Sequence, residues 1–284
     1  MPELPEVETI KNDLRGVVLG RRIERAQVLD PHLVKYPSVE DFEAELRGQR
    51  ILAIDRKAKY LLFRLSSGKT MVVQLILTGQ LLEMAPEVPR RKSTRLILDL
   101  DNGRQLRLAD SSHLARVNLG GEAELRERLP LDELGPEATS DEFTLEAFRR
   151  MVGKTRRQIK ALLLDQRVVS GIGNIYADES LFAARLHPLR PANGLSPEEV
   201  ERLYTAIRSI MREAIALRGT TTRSYRDVAG RKGGYQERLK VVARAGEPCE
   251  GCTGTVEKMW AAGRESYYCP ACQRLEGRER KRAA

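Results

Sequence analysis

Apolar positions over the first 20 residues recur at helical spacing. Val7, Ile10, Leu14 and Val17 lie three or four residues apart, which predicts a first helix over residues 5–19. The pattern then changes to short apolar runs bounded by polar residues, which predict strands at residues 50–55, 60–65, 71–77, 96–100 and 105–108. The pair Asn102-Gly103 favours a hairpin between the last two strands, because both residues tolerate positive φ. Residues 1–130 are therefore predicted to form an antiparallel β-sandwich with one leading helix.

A linker is predicted at residues 131–141, where Leu134-Gly135-Pro136 interrupts the pattern. Apolar residues then return at helical spacing and predict helices over residues 143–152, 157–164, 175–184 and 197–217. The last of these begins with a capping box formed by Ser196 and Glu199. Residues 219–236 have several glycines and little periodicity, which predicts a long loop at the end of a helical domain spanning 142–237.

The four cysteines form two closely spaced pairs, Cys249-x-x-Cys252 and Cys269-x-x-Cys272. Two such turns can direct four thiolates to one point and complete a tetrahedral Zn²⁺ site with no open position. Disulfides are the alternative, and a reducing compartment disfavours them. The sequence thus predicts one structural zinc in a finger over residues 238–272, with Arg264 at the tip of a hairpin. A basic tail follows at 273–284.

Charge and hydropathy restrict the class of protein. The chain has 49 basic and 40 acidic residues, and its net charge of +9 suits a polyanionic partner as well as it suits a merely basic soluble protein. No stretch approaches the ~20 apolar residues that a membrane helix needs. The start of the chain lacks the charged and apolar regions of a signal peptide, so we expect a cytoplasmic protein without membrane contact.

The N-terminus contains a candidate nucleophile. Removal of Met1 would expose the secondary amine of Pro2, and an α-amino group has a pKa near ~7.7, against ~10.4 for lysine. Such an amine can attack an anomeric carbon and form an iminium. Glu3 and Glu6 lie three residues apart on one side of the helix and could transfer protons. Alternatively, these acidic residues simply begin a helix whose dipole favours them.

Four motifs together resemble the formamidopyrimidine-DNA glycosylase / endonuclease VIII family. They are MPELPEVET at the start, Lys59 in AKYLLF, GIGNIYADESLF at residues 171–182, and the cysteine pairs. The resemblance spans nearly the whole chain and implies an α+β fold: an N-terminal β-sandwich, a helical domain with a helix–two-turn–helix motif, and a zinc finger. Residues 219–236 would be its lesion-capping loop.

The same resemblance implies a bifunctional DNA glycosylase and AP lyase in base excision repair. Such an enzyme excises oxidised bases through a Schiff base on the N-terminal proline and cleaves the strand by β,δ-elimination. It implies a bacterial, nucleoid-associated monomer whose partner is damaged DNA. Six residues match the family's functional positions: Pro2 as nucleophile, Glu3 as proton donor to the sugar, Glu6 as lesion-orienting carboxylate, Lys59 as proton donor in strand cleavage, and Asn174 and Arg264 as phosphate ligands. Considered singly, Lys59 and Arg264 could equally be surface charges.

The chain departs from the family where side chains fill the space left by the flipped base. Leu77, Ser112 and Leu114 stand where the purine-specific branch has Met, Arg and Phe. Serine is too short to read the orphaned base, although His113 could substitute from the next position. The lesion therefore stays open between an oxidised purine, an oxidised pyrimidine, an abasic site and a single-stranded substrate. A structure-specific or abasic-site DNA-binding lyase with weak base excision is the alternative function.

Overall fold

The computed structural model describes residues 2–275, so Met1 and most of the predicted basic tail lie outside the described residues. The helices are α1 (Leu4–Val17), α2 (Val39–Leu46), α3 (Glu122–Arg128), α4 (Leu145–Gly153), α5 (Ile159–Leu164), α6 (Asn174–Ala183) and α7 (Pro197–Ala216). The strands are β1 (Ile23–Val28), β2 (Val34–Tyr36), β3 (Ile51–Lys57), β4 (Tyr60–Leu65), β5 (Thr70–Gln74), β6 (Gln80–Met84), β7 (Thr94–Leu100), β8 (Gln105–Ala109), β9 (Arg116–Gly120), β10 (Glu257–Ala261) and β11 (Arg264–Tyr268). Short 3₁₀ turns lie at Pro31–Leu33, Ala192–Gly194 and Tyr235–Arg238.

Nine of the strands form two sheets. One has the order β1-β7-β8-β6 and is antiparallel throughout; the other has the order β2-β9-β5-β4-β3, in which only β2 and β9 run parallel. The Asn102-Gly103 turn connects β7 and β8 as predicted, with Gly103 at φ 73°.

An apolar core lies between the two sheets. Leu61 and Phe63 of β4 belong to it together with Leu98 and Leu106 of the opposite sheet, and all four side chains are at most 1% exposed. One face of α1 enters the same core through Ile10 and its neighbours. The alternation of inward and outward residues along the strands therefore produces the predicted sandwich with its leading helix.

By their contacts the residues divide into two units. The first comprises the residues up to Glu133 together with Ala214–Gln236, and the second comprises Leu134–Glu213 and the described residues from Glu237 onward. Segment 219–236, which the sequence assigns to the helical domain, thus has its contacts within the first unit. Tyr225 and Val228 are buried in the sandwich core, which a reading of periodicity alone could not detect.

The second unit contains α4, α5, α6, most of α7 and the hairpin of β10 and β11. The capping box of α7 is present: Glu199 N donates to Ser196 Oγ, and Ser196 N donates to the Glu199 carboxylate at 2.8 Å. The predicted α+β class is confirmed. Among residues 2–275, no helix combines the length and apolar character that crossing a bilayer requires.

Candidate active site and nucleic-acid interface

The candidate catalytic residues begin α1 and are buried. Pro2 is buried, and Glu3, at the N-cap position, is 1% exposed. The backbone N–H of Glu3 donates to Glu6 Oε2 at 2.7 Å, which fixes the first turn of the helix. The carboxyl groups expected to take part in catalysis are thus held beside Pro2 by the same contacts that begin the helix.

Glu6 also binds the segment that follows α7, which belongs to the same unit. Its Oε1 accepts a hydrogen bond from Thr220 N at 2.7 Å, so both carboxylate oxygens accept from backbone amides. A Cβ on Gly219 would lie only 2.7 Å from the same Oε1, and Gly219 has a φ of 79°. Only glycine permits this close approach without strain.

Segment 219–236 is anchored by buried contacts. Asp227 accepts hydrogen bonds from Arg218 and Arg231 at 2.7 and 2.9 Å, and Val228 O accepts from Glu83 N of β6. Tyr225 is 3% exposed and donates its hydroxyl to Arg218 O. Burial, together with the nearby charge of Glu6, raises the pKa of Tyr225, so this hydroxyl keeps its proton.

Lys59 lies in the two-residue turn that joins β3 to β4. Ala58, the other turn residue, has a φ of 50°, and its carbonyl accepts a hydrogen bond from Arg56 at 3.0 Å. Arg56 also donates to Glu8 of α1 at 2.7 Å. Burial acts to raise the pKa of Glu8, but Lys11 and Arg56 outweigh it and hold that pKa below its usual range. The ion pair of Glu8 with Arg56 therefore joins α1, which begins directly after Glu3, to the end of β3 beside the turn that contains Lys59.

The predicted wedge residues lie on two adjoining loops organised by Asp110. This carboxylate is 1% exposed and accepts from Thr78 Oγ1 and from the backbone N–H groups of Ser112, Leu114 and Ala115, the last two at 2.8 Å. Burial acts to raise the pKa of Asp110, but these hydrogen bonds hold it below its usual range. Leu77 and Leu114 are 42% and 47% exposed, as apolar wedge side chains would be.

Two polar residues of this loop face partners within the first unit. The Ser112 hydroxyl donates to Asp110 at 2.7 Å, so Ser112 is not directed outward as a wedge. His113 has a φ of 55°; its Nδ1 contacts Asp30 at 2.8 Å and its Nε2 contacts Arg95 at 2.7 Å. The suggestion that His113 replaces the missing base-reading arginine is therefore not favoured, because both ring nitrogens are engaged.

In the second unit, the structure brings the two expected phosphate ligands together. Asn174 is the first residue of α6, after Gly173, and its Nδ2 donates to Glu265 O at 2.9 Å. Arg264, the neighbour of Glu265, is exposed at the start of β11. The turn before it uses Ala262 and Gly263, both at positive φ, as the predicted hairpin requires.

The GIGNIYADE stretch contains two structural carboxylates that the sequence did not identify. Asp178 pairs with Lys160 at 2.7 Å, both fully buried, and accepts from Ser266 Oγ and Tyr267 N of β11. Glu179 accepts from three consecutive backbone amides, residues 240–242. The contacts of Asp178 fix the hairpin against α6, and those of Glu179 fix residues 240–242 against the same helix. Buried acidic residues inside an otherwise apolar helix were the signal that could have revealed them.

The four cysteines form one cluster. All four are free, and their sulfur atoms lie within 4.8 Å of one another, with separations of 3.5 and 3.8 Å across the two pairs. Tetrahedral zinc with Zn–S bonds of ~2.3 Å requires sulfur separations of roughly 3.8 Å. Backbone N–H groups of Gly251 and Gly254 also donate to Cys249 and Cys252. The arrangement suits a metal and is too open for disulfides.

Comparison with known proteins places this constellation within one class, the base-excising enzymes of DNA repair. The family model "Formamidopyrimidine-DNA glycosylase N-terminal domain" matches residues 1–117, and the model "Formamidopyrimidine-DNA glycosylase H2TH domain" matches residues 134–226. Curated relatives named formamidopyrimidine-DNA glycosylase include one from Pelotomaculum thermopropionicum, 41% identical over 97% of this chain and 100% of its own. Another, from Chloroflexus aurantiacus, is 44% identical over 96% of this chain and 98% of its own.

Solved structures agree with the sequence relatives. The MutM (Fpg) protein of Thermus thermophilus is 42% identical, with a TM-score of 0.87 over 96% of this chain and 98% of its own. The Fpg of Lactococcus lactis, in a complex with DNA containing an abasic site, is 32% identical, with a TM-score of 0.90 over 96% of this chain and 100% of its own. The chain belongs to the formamidopyrimidine-DNA glycosylase family.

Proposed function

We propose that this protein is a bifunctional DNA glycosylase and AP lyase that excises oxidised bases through the amine of Pro2. The observation that carries the proposal is the buried start of α1, where Pro2 stands next to Glu3 and Glu6. Burial of a carboxylate is costly unless it is paired or hydrogen-bonded, and the start of a helix does not by itself require two buried carboxylic side chains. Membership of the family supports the same reading.

The proposed chemistry begins with attack of the Pro2 nitrogen on C1′ of the damaged nucleotide. The glycosidic bond breaks, and the base leaves with the bonding electrons and takes up a proton. The Pro2 nitrogen, now bonded to C1′, loses its own proton. Its lone pair then expels the ring oxygen, which Glu3 protonates, so that the sugar opens and an iminium forms. Removal of a C2′ proton then expels the 3′ phosphate, and a second elimination expels the 5′ phosphate, with Lys59 as the proposed proton donor.

The second unit is proposed to hold the DNA backbone. Asn174, at the N-terminus of α6, and the exposed Arg264 offer a helix dipole and a guanidinium to phosphate oxygens. We propose one structural Zn²⁺ on Cys249, Cys252, Cys269 and Cys272. Four thiolates would leave such an ion no open coordination position, so it would stabilise the hairpin of Arg264 without taking part in the reaction. Glu6 is proposed to orient the lesion, in addition to its bonds to Glu3 and Thr220.

A second candidate function is an abasic-site or structure-specific lyase with weak base excision. The observation that favours it is the inward direction of Ser112, together with the engagement of His113 by Asp30 and Arg95. The loop therefore exposes the apolar Leu114, whereas the polar groups of Ser112 and His113 are already engaged by residues of the first unit. Retention of Pro2, Glu3 and Lys59 supports the first candidate.

Borohydride trapping distinguishes the two candidates, because it reduces the iminium to a stable amine. Oligonucleotides should carry an oxidised purine, an oxidised pyrimidine, a preformed abasic site or no lesion, each in single-stranded and duplex form. We expect adducts with at least one oxidised base and with the abasic site, and none with undamaged DNA. Adducts with the abasic site alone would favour the second candidate. No adduct with any lesion would refute both.

A further inference from the structure

Trp260 is the most exposed large apolar side chain of the described residues. It is the only tryptophan of the chain, lies on β10 and is 73% exposed. Tryptophan is highly buried on average, so an indole that is presented to solvent on a rigid element is an unusual surface feature. The catalytic scheme above makes no use of it.

The hairpin cannot turn Trp260 inward. Residues alternate between the two faces, and the packed face of β10 and β11 carries Ala261 and Ser266, which are 2% and 0% exposed. Trp260 lies on the opposite face, directly across from Glu265. This orientation is fixed by the contacts of Ser266 with Lys160 and Asp178. The cysteine pairs, which precede β10 and follow β11 in the sequence, constrain the base of the hairpin. The indole is therefore held outward.

The negative charge of Glu265, on the outer face of the hairpin, is compensated by two neighbours. Tyr267 donates its hydroxyl to Glu265, and Lys258 Nζ lies 3.5 Å from the other carboxylate oxygen of Glu265. Both partners share the outer face with Trp260. A polyanion that approaches the indole therefore does not meet an uncompensated carboxylate. Tyr267 and Lys258 supply a further aromatic ring and a cation beside it.

Trp260 is also close to the proposed phosphate ligand Arg264. Arg264 pairs with Ala261, the residue next to Trp260, so sheet geometry puts the Cα atoms of Arg264 and Trp260 about 6 Å apart. The Arg264 side chain starts on the face of Ala261, opposite to the indole, and is exposed at the tip of the hairpin. A strand that crosses this tip with one phosphate at Arg264 can therefore place a neighbouring nucleotide at the indole. Base stacking on an aromatic ring needs an unpaired base, because in a duplex the base faces are covered.

We propose that Trp260 is a stacking platform for an unpaired base in single-stranded or opened DNA whose backbone is held at Arg264. The platform comprises Trp260 with Lys258 and Tyr267 beside it. This proposal rests on the proposed DNA-binding role of the second unit. It predicts that the protein binds single-stranded DNA more tightly than electrostatic attraction alone would allow. Stacking of this kind tolerates any base, so it adds affinity without sequence preference.

The sole tryptophan allows a direct test. Wild-type protein with its zinc is titrated with a fluorescein-labelled thymine oligonucleotide, and separately with the blunt duplex made with its complement, at one fixed salt concentration. The anisotropy of the label reports binding. In parallel titrations with the unlabelled strand, tryptophan emission reports whether a base stacks on the indole. We expect the single strand to quench the emission with the same concentration dependence as the anisotropy, and the duplex to quench it far less. Unchanged emission at saturation, or equal quenching by both forms, would overturn the proposal.

Variants provide the second arm. Trp260→Ala should raise the Kd for the single strand, relative to that for the duplex, on the order of tenfold, as loss of one stacked base implies. Trp260→Phe should lie between, because a smaller ring still stacks. Leu52→Ala, which removes another exposed apolar side chain from β3, is the matched control and should change neither Kd. Single-strand affinity unaltered in Trp260→Ala would contradict the proposal. Borohydride trapping of wild type on an abasic duplex tests the proposed function separately. A failure of the stacking proposal can therefore be distinguished from a failure of the proposed function.

Discussion

Glu6 accepts a hydrogen bond from the backbone N–H of Thr220 at 2.7 Å, across 214 positions of the chain. The same carboxylate accepts from Glu3 N, so one buried side chain connects the start of α1 with the segment that follows α7. The residue proposed to orient the lesion is thus also the residue that holds segment 219–236 at the candidate active site. A change at the start of this segment, where Gly219 and Thr220 contact Glu6, should therefore also affect the helix start that carries Pro2.

Gly219→Ala should detach the segment from Glu6. Alanine brings both the strain of a φ of 79° and a Cβ that lies 2.7 Å from Glu6 Oε1. We expect hydrogen exchange of the Thr220 amide to accelerate by ~10-fold or more, which corresponds to ~1.4 kcal/mol of lost protection. Base excision should fall with it.

Gly230→Ala is the matched control for this variant. Gly230 belongs to the same segment and has a φ of 81°, but no atom lies within 4 Å of the position of its Cβ. It therefore carries the cost of positive φ without the collision, and the Thr220 amide should exchange nearly as in wild type. Equal acceleration in both variants would show that the contact with Glu6 contributes nothing beyond backbone strain.

Asp110→Asn should loosen the wedge loop in a pH-dependent way. An amide has one carbonyl oxygen and cannot accept at both positions, so at least one of the buried backbone donors loses its partner, at a cost of ~1–3 kcal/mol. The folded pKa of Asp110 is depressed, so its contribution is present above the unfolded value near ~3.9 and is lost as pH falls through the folded value. The difference in Tm between wild type and Asp110→Asn should therefore be largest near neutral pH and shrink below about pH 4. The exposed Asp132→Asn is the control, and a pH-independent difference for Asp110→Asn would argue against this role.

Excision should depend weakly on the base opposite the lesion. A good bidentate contact contributes ~1–3 kcal/mol of discrimination, whereas the Ser112 hydroxyl and both ring nitrogens of His113 are engaged by residues of the first unit. Single-turnover rates on one lesion opposite each of the four bases should lie within ~10-fold of one another. His113→Ala should leave those ratios unchanged. A preference for cytosine beyond that range that disappears in His113→Ala would assign the reading to His113 after all.

Cys269→Ser should remove the metal and weaken DNA binding. Cys269 is fully buried in the four-sulfur cluster, and loss of one thiolate leaves an incomplete tetrahedron. Metal analysis should give about one zinc per chain for wild type and little for the variant. Because the cysteines belong to the second unit, the sandwich should keep its own unfolding transition. Purified wild type that lacks zinc and carries a disulfide between these cysteines would be incompatible with the proposed site.

Much of the fold was readable from local patterns. An apolar run bounded by polar residues predicted the strand around Phe63, and alternation predicted the strand around Leu98. The capping box predicted where α7 begins. All three signals depend on neighbours in sequence. Two short helices, α2 and α3, were missed even though Ser38 N-caps α2, with Asp41 N donating to its hydroxyl. A helix of eight residues carries too few apolar positions for its period to stand out from the surrounding strands.

The contacts that shape the site could not be predicted in the same way. The bond of Glu6 to Thr220, the inward turn of Ser112 and the pairing of His113 with Asp30 each join residues that only tertiary structure brings together. Segment 219–236 has no period, yet Tyr225 and Val228 anchor it in the core. Sequence identified the residue types for the chemistry, whereas their directions depended on long-range packing.

The central claim is that Pro2 forms the covalent intermediate, and mass spectrometry of the trapped complex tests it most directly. Wild type, with removal of Met1 verified, is incubated with abasic duplex and borohydride, digested, and the adduct is located within its N-terminal peptide. The account predicts the reduced sugar on the Pro2 nitrogen, no adduct when Met1 is retained, and much slower strand cleavage by Pro2→Gly with DNA binding preserved. An adduct on Lys59 or another lysine, or full trapping with Met1 in place, would contradict it.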